Sequence, residues 1–340
     1  MQHVNSEGVK RPTIRDVASV AGMSIGTVSR VLNDKNWVSP KAKAAVDAAI
    51  KKTGYRVNPH ARNLATSRSN TVAFLLTEQQ QLLFEDPNYS MLVRGTAKAL
   101  AANNYSLVLI VAGDPAERAR ATSYITAGHV DGVLLAFSSP DGAPLIESLI
   151  DAKVPIVACG QPAGFEGRVG CVAADDRMGA RRMVAYLQSK GRKEIVTIAG
   201  PHGSPGGVGR LLGYRDVIGE AFDDRFVVEG DYSRESGRRA MQDLLSRVPD
   251  LDAVFAANDA MAAGAIDALK TAGKRVPEDV SVAGFDDSRF AETTDPALTT
   301  MHQPFDRISV EMVRLLLDEI AGEQPATVTL PTILVERGSA

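Results

Sequence analysis

The stretch TIRDVASVAGMSIGTVSRVLN, residues 13–33, decides the architecture of the amino-terminal end of the chain. Thr13 stands where a helix N-cap belongs, and Asp16, three residues on, gives a near capping box. Ile14, Val17, Ala18 and Ala21 then recur at helical spacing. Gly22 stops this helix where a tight helix–helix turn needs a positive φ, which glycine adopts without steric cost. Ser24 caps the next helix, 25–32, whose Val28, Val31 and Leu32 face inward. That leaves Ile25, Gly26, Thr27, Ser29, Arg30 and Asn33 facing outward. Ser39 and Pro40 open a third helix, with Ala45, Val46, Ala49 and Ile50 as its apolar stripe.

Two short helices around a glycine turn, closed by a third, form the minimal scaffold that carries a recognition helix into a major groove. The outward set fits that task. Arg30 can bond a guanine bidentately, Ile25 can touch a thymine methyl, and Thr27 and Ser29 can reach phosphates. Thr13 and Ser24, at the two helix starts, complete the DNA-contact candidates of this segment. Taken alone, the pattern also suits a small helical bundle that binds protein. Charge favours nucleic acid: residues 1–70 hold 12 Lys and Arg against 4 Asp and Glu, whereas residues 71–340 hold 26 against 37. A basic head on an acidic body is the footprint of a chain that grips nucleic acid with one end.

The dense run 13–33, followed by GYRVNPHARNLATSRS at 54–69, resembles the head of the LacI/GalR (lactose-repressor) family. The resemblance implies a hinge helix over about 58–65, within a 58–70 linker, that orders on DNA. Asn58, Ala61, Arg62 and Leu64 would then join the DNA contacts, with Leu64 wedged into the minor groove at the centre of a palindrome. An apolar side chain that unstacks a base step and bends the duplex suits that role. Gly26 departs from the family's usual recognition-helix pairs, whose second member mostly carries a side chain, so the operator sequence does not transfer from relatives.

Beyond residue 70 the chain alternates apolar runs with helical patterns. The runs are 72–76, 107–111, 132–137, 155–159, 195–199, 253–256 and 280–285; the helical patterns include 89–103, 177–190, 210–222, 236–246, 259–271 and 305–320. Continuous apolar runs between helices imply parallel strands covered on both faces. The expected fold is therefore an all-α helix-turn-helix head (1–57) and an α/β effector-binding and dimerisation body (71–340). The body reads as two doubly wound lobes, about 71–172 and 173–300, with the segment from Leu298 crossing back between them. Such lobes hold a ligand beyond the carboxyl ends of their strands.

GRLLGYRD (209–216), FAANDAMAAGAIDAL (255–269), VSVAGFDDS (280–288) and PALTTMHQP (296–304) extend the resemblance, since the family's body is similar to periplasmic sugar-binding proteins. It implies effector contacts at Arg210, Tyr232, Asp259 and Gln303, and Tyr89 and Ser90 lie where the loop after the first strand should face the cleft. A guanidinium and a carboxylate can each grip paired hydroxyls, and a tyrosine offers an apolar face with a polar tip.

Other signals are weak. GSPGGVG (203–209) lacks the Lys-Ser/Thr ending of a phosphate loop and reads as a flexible turn at the pocket edge. Asp175–Asp176 and Asp286–Asp287 read as loop caps, because strand neighbours point to opposite faces and make poor acid/base pairs. Cys159 and Cys171 read as buried thiols, and the five His show no metal spacing. The first eleven residues hold no apolar stretch and no run approaches a membrane span, so a cytoplasmic location is expected. No enzyme activity, cofactor or metal is expected. The resulting expectation is a repressor of carbohydrate-utilisation genes that binds a palindromic operator as a homodimer and is switched by a saccharide. A non-sugar ligand or a protein co-regulator is the alternative.

Overall fold

The computed structural model describes residues 12–32, 38–55, 68–77, 86–136 and 142–340. The chain divides into two compact units, Met1–Ser69 and Asn70–Ala340.

In the first unit, α1 (Ile14–Ala21), α2 (Ile25–Leu32) and α3 (Pro40–Thr53) close on a small core of Val17, Ala18, Val28, Val46 and Ala49. The Asp16 carboxylate accepts from the Thr13 backbone N–H at 2.7 Å, which anchors the start of α1. Gly22 adopts φ 64° and turns the chain into α2. Ser24 Oγ accepts from the Thr27 N–H at 3.1 Å, and Ser39 Oγ from the Ala42 N–H at 3.3 Å, so both expected caps are made.

The second unit contains two parallel sheets. Its first lobe has strand order β11-β5-β4-β3-β1-β2, with β1 Thr71–Leu76, β2 Ser106–Val111, β3 Gly132–Ala136, β4 Ile156–Cys159, β5 Gly170–Ala174 and β11 Thr327–Leu330. Alternate residues of β1 serve opposite faces. Val72, Phe74 and Leu76 pack beneath α4 (Pro87–Ala102) and α12 (Phe305–Ile320), while Ala73 and Leu75 pack against α5 (Pro115–Tyr124) and α6 (Ala143–Asp151). Burying each such Leu or Phe side chain is worth about 1.5–3 kcal/mol, which is why these runs lack the polar alternation of a solvated sheet.

The second lobe has strand order β7-β6-β8-β9, with β6 Ile195–Ala199, β7 Val227–Glu229, β8 Ala253–Ala256 and β9 Ser281–Ala283. One face carries α9 (Arg234–Arg247) and α10 (Asp259–Thr271); the other carries α7 (Asp176–Ser189) and α8 (Pro205–Ile218). The short helix α11 (Arg289–Thr293) follows β9. The antiparallel pair β10 (Thr300–His302) and β12 (Ile333–Val335) completes this lobe. The first lobe is thus not one contiguous block. The chain passes between the lobes near 174–176, 303–305 and 330–333, since α12 and β11 return to the first sheet and β12 leaves it again.

Several boundaries differ from those read in the sequence. The segment 203–209 is not a flexible turn: Ser204 caps α8, accepting from the Gly207 N–H at 3.1 Å, and the helix starts at Pro205 rather than 210. The short elements α5, α6, β7 and β10 to β12 carry too little periodicity to stand out from the sequence. The hinge segment 58–65, with Asn58, Ala61, Arg62 and Leu64, lies outside the described residues, as does Asn33.

Helices α9 and α10 cross at two glycines. A Cβ added at Gly264 would sit well inside contact distance of the Arg234 carbonyl oxygen, and one at Gly237 would meet the backbone of Met261. Because backbone cannot rotate away, Gly264→Ala should destabilise the second lobe by about 1–3 kcal/mol. A lowered thermal midpoint of the body is the readout; an unchanged midpoint would mean that the two helices can part without loss.

Candidate functional site

In the head, α2 presents Ile25, 46% exposed, together with exposed Gly26 and Arg30. Thr27 and Ser29 are half-buried, and the Thr27 hydroxyl lies 2.9 Å from Ser24 Oγ. A Cβ at Gly26 would meet nothing closer than Ser24 Oγ at 3.8 Å, so the first turn of α2 offers open backbone. Thr13 and Ser24 are exposed at the starts of α1 and α2. An exposed apolar residue beside a surface arginine on a short capped helix suits insertion between the walls of a groove.

In the body, polar side chains from both lobes converge on Asp286, which follows β9. The carboxylate is 3% exposed. Asn88 of the first lobe donates through Nδ2 to Asp286 Oδ2 at 2.7 Å. Gln303, on the crossing from β10 to α12, donates through Nε2 to Asp286 Oδ1 at 2.5 Å. Arg210 of α8 places Nη1 3.3 Å from the same oxygen and donates from Nε to Asp176 Oδ1 at 2.8 Å. The Arg210 Nη1 also donates to the Ala257 carbonyl, and its guanidinium lies 3.9 Å from the centre of the Phe285 ring. Burial opposes the charge on Arg210, but Asp176 and Asp286 outweigh it and hold the guanidinium protonated.

Tyr232 is half-buried, and its Oη lies 2.6 Å from Ser204 Oγ. Its ring lies against Gly200 and Gly207, where a Cβ would come within 2.9 Å of the phenol. Of the glycine-rich run, Gly207 leaves room for this ring, whereas Gly206 and Gly209 abut Asp176. Burial pushes the Tyr232 hydroxyl up to about 12, so it stays a donor. Tyr232 at φ 69° and Asp286 at φ 109° both occupy a region that side chains seldom adopt. Strain of this kind persists only where surrounding bonds over-determine the backbone, and it concentrates at binding sites. The Asp286 N–H, donating to the Met301 carbonyl at 2.8 Å, is one such bond.

Arg210, Tyr232 and Gln303 are thus brought together, while the side chains of Asp259, Tyr89 and Ser90 are engaged elsewhere. Asp259 does not line the seam. It is fully buried, with Oδ2 accepting from the Ser288 N–H at 2.6 Å and Oδ1 from the Thr300 hydroxyl at 2.5 Å, and so braces the loop that carries Asp286. Its neighbour Asn258, 4% exposed, caps α10 and donates from Nδ2 to the Tyr232 carbonyl at 3.0 Å. Tyr89 turns into the first-lobe core, and Ser90 is exposed with its hydroxyl on the Pro87 carbonyl. Asn88 takes the place expected of them. Helix α4 begins at Pro87 behind the Asp86 cap, so residue 88 faces the strand ends and residue 89, about 100° further round, faces the core. The Asp-Pro start signal was available in the sequence. The adjacent aspartates also divide. Asp175 caps α7, accepting from the Met178 N–H at 3.0 Å, whereas Asp176 pairs with Arg210. Asp287 pairs with Arg337 at 2.7 Å, but Asp286 is the hub of the seam rather than a loop cap.

Asp86 adds a proton-linked group. Its carboxyl is pushed up to about 7, by burial first and by Asp286 second, against the Asn88 N–H and Arg210, which favour the anion. A carboxyl whose folded pKa lies above its unfolded value of 3.8 contributes stability that is complete below that value and lost as pH rises through about 7. Warming the unliganded protein from about pH 5 to about pH 8 should therefore show a fall in the body's thermal midpoint that is smaller in Asp86→Asn, which keeps the cap acceptor. Equal falls in the two proteins would remove Asp86 from this linkage.

Comparison with known proteins places this geometry. Residues 13–58 match the model for bacterial regulatory proteins of the lacI family, and residues 184–340 match that for a periplasmic binding protein-like domain. The chain is 43% identical over 336 residues to the HTH-type transcriptional regulator CelR of Thermobifida fusca, covering 97% of this chain and 98% of that one. It is 35% identical over 334 residues to the ribose operon repressor of Escherichia coli K12, covering 96% and 99%. A solved CelR–cellobiose complex superposes with a TM-score of 0.77 at 41% identity, over 97% of this chain and all of that one. A lac repressor dimer bound to operator and an anti-inducer gives 0.83 at 27% identity, over 97% and 99%. The chain belongs to the lacI family of bacterial regulatory proteins and is a DNA-binding transcription regulator with a small-molecule-binding body.

Proposed function

We propose that this regulator is a repressor of carbohydrate-utilisation genes that binds a palindromic operator as a homodimer and takes a small saccharide at the Asp286 seam. The observation that carries the reading is the Asn88–Asp286–Arg210 constellation, in which one buried carboxylate is shared by side chains of both lobes. A ligand that competes for those groups binds one lobe arrangement better than another, which is all that coupling to DNA requires. The CelR relative, solved with cellobiose, makes a gluco-oligosaccharide the first effector to test.

In the head we assign base-edge contacts to Ile25, Gly26, Arg30 and Asn33 and phosphate contacts to Thr27 and Ser29. Thr13 and Ser24 sit at helix starts suited to phosphates. The assignment of Asn58, Ala61, Arg62 and Leu64 to the hinge, with Leu64 as wedge, rests on family resemblance. Two half-sites must be spanned at once, which needs a dimer. We further propose that the protein works in the cytoplasm, without catalysis or cofactor; no helix among the described residues is long and apolar enough to cross a membrane.

The test is fluorescence anisotropy of the purified protein on a palindromic DNA that it selects from a random pool, at fixed salt because affinity falls steeply with ionic strength. Titrated mono- and disaccharides should include one that shifts the affinity tenfold or more, about 1.4 kcal/mol of coupling. Arg30→Ala should weaken specific binding by about 1–3 kcal/mol, and Leu64→Ala should cost specific more than random-sequence binding. Specific DNA binding that no saccharide alters would refute the effector reading while leaving the head's role intact.

A further inference from the structure

The polar groups at the seam are unbalanced in charge. Asp86 enters from the first lobe and Asp176 and Asp286 from the second, and the cation that faces them is Arg210. One guanidinium cannot neutralise three carboxylates. The other donors to Asp286, the side-chain amides of Asn88 and Gln303, cancel no charge. Above about pH 7, where Asp86 has ionised, what the seam has in excess among the described residues is therefore acceptor capacity and negative charge.

A second observation shows what is missing. Among the described residues Asn88 Oδ1 is buried without a hydrogen-bond donor, on a residue 5% exposed whose other amide atom already reaches Asp286. Thr77, immediately beyond the carboxyl end of β1, is 2% exposed, and its hydroxyl likewise has no partner among the described residues. Buried polar atoms are normally satisfied, so these point to groups that a ligand would supply. For Asn88 Oδ1 and the surplus carboxylate lone pairs, that group must be an O–H or N–H donor.

At each helix start at the seam the chain's own oxygen already holds one of the N–H groups an anion would use. Anion sites commonly use free N–H groups at helix N-termini. Here Asp86 accepts from the Asn88 N–H of α4 at 2.9 Å, and Asp175, Ser204 and Asn258 cap α7, α8 and α10 with their own oxygens.

We propose that the seam selects a hydroxyl-rich effector that carries no negative charge and rejects its anionic congeners, sugar phosphates and sugar acids, an inference that rests on the effector reading above. Hydroxyls donating to carboxylates form charge-assisted bonds, shorter and about twice as strong as neutral ones. A phosphate or carboxylate entering the same space meets like charge where water is sparse, and the one guanidinium is already engaged by Asp176 and Asp286.

Calorimetric titration of the full-length protein at about pH 8 and fixed salt tests this with matched probes: cellobiose, cellobiose 6-phosphate and cellobionate; glucose, glucose 6-phosphate and gluconate; and adenosine with adenosine 5′-monophosphate, a nucleoside pair outside the free sugars. The neutral sugar that binds should do so at least about 100-fold more tightly than its anionic partners, and Asp86→Asn should narrow that ratio at least about fivefold. An anionic probe that binds as tightly as its neutral parent overturns the proposal while the saccharide reading stands. So does a ratio unmoved by Asp86→Asn, since the discrimination would then be steric. Binding by adenosine alone supports the charge selection and removes the saccharide reading. Silence across all the probes overturns both.

Discussion

A carboxylate buried where two lobes meet has to be held by every segment that reaches it, and much of the body is arranged around Asp286. Asn88 approaches from the first turn of α4, Arg210 from α8, and Gln303 from the crossing between β10 and α12. Asp259, fully buried, holds the Ser288 N–H and the Thr300 hydroxyl, so the loop bearing Asp286 cannot relax. Removing a charged group from water is costly unless partners replace its hydration, and here those partners come from segments far apart in sequence. The same feature makes the carboxylate sensitive to lobe position, because one of its donors belongs to the other lobe.

The sheets make this convergence possible. Both lobes are parallel and covered on both faces, so their strand ends and helix starts gather at one edge. The glycines at 200 and 207 let the phenol end of Tyr232 approach the backbone, and glycines at 237 and 264 let α9 and α10 approach closely. Neither set is needed for ligand chemistry. They set the distances at which the polar groups meet. Regulation then follows from ordinary linkage: whatever competes for the shared carboxylate alters the balance between lobe arrangements.

The head follows a different logic. Its core is five small or medium apolar side chains, and its local order rests on caps and a glycine turn. Each of these devices acts over three or four residues, so each is visible in the sequence before any tertiary contact is known.

That contrast explains what could be read in advance. The sequence by itself determined the three head helices, because Thr13, Gly22, Ser24 and Ser39 act on their own neighbours. It also determined the alternation of buried strands and long helices, since a helix such as α12 carries strong local periodicity. Arg210 and Gln303 were reachable through family resemblance. Only the tertiary structure decided that Asn88 rather than Tyr89 or Ser90 enters the seam, that Asp259 braces it from behind, and that Asp286 and Asp287 part company. Those outcomes depend on a one-residue choice of helix start and on contacts across 198 positions of chain, such as Asn88 to Asp286. No local pattern encodes such a distance; it is fixed by where two sheets, packed through their own apolar faces, bring their edges together.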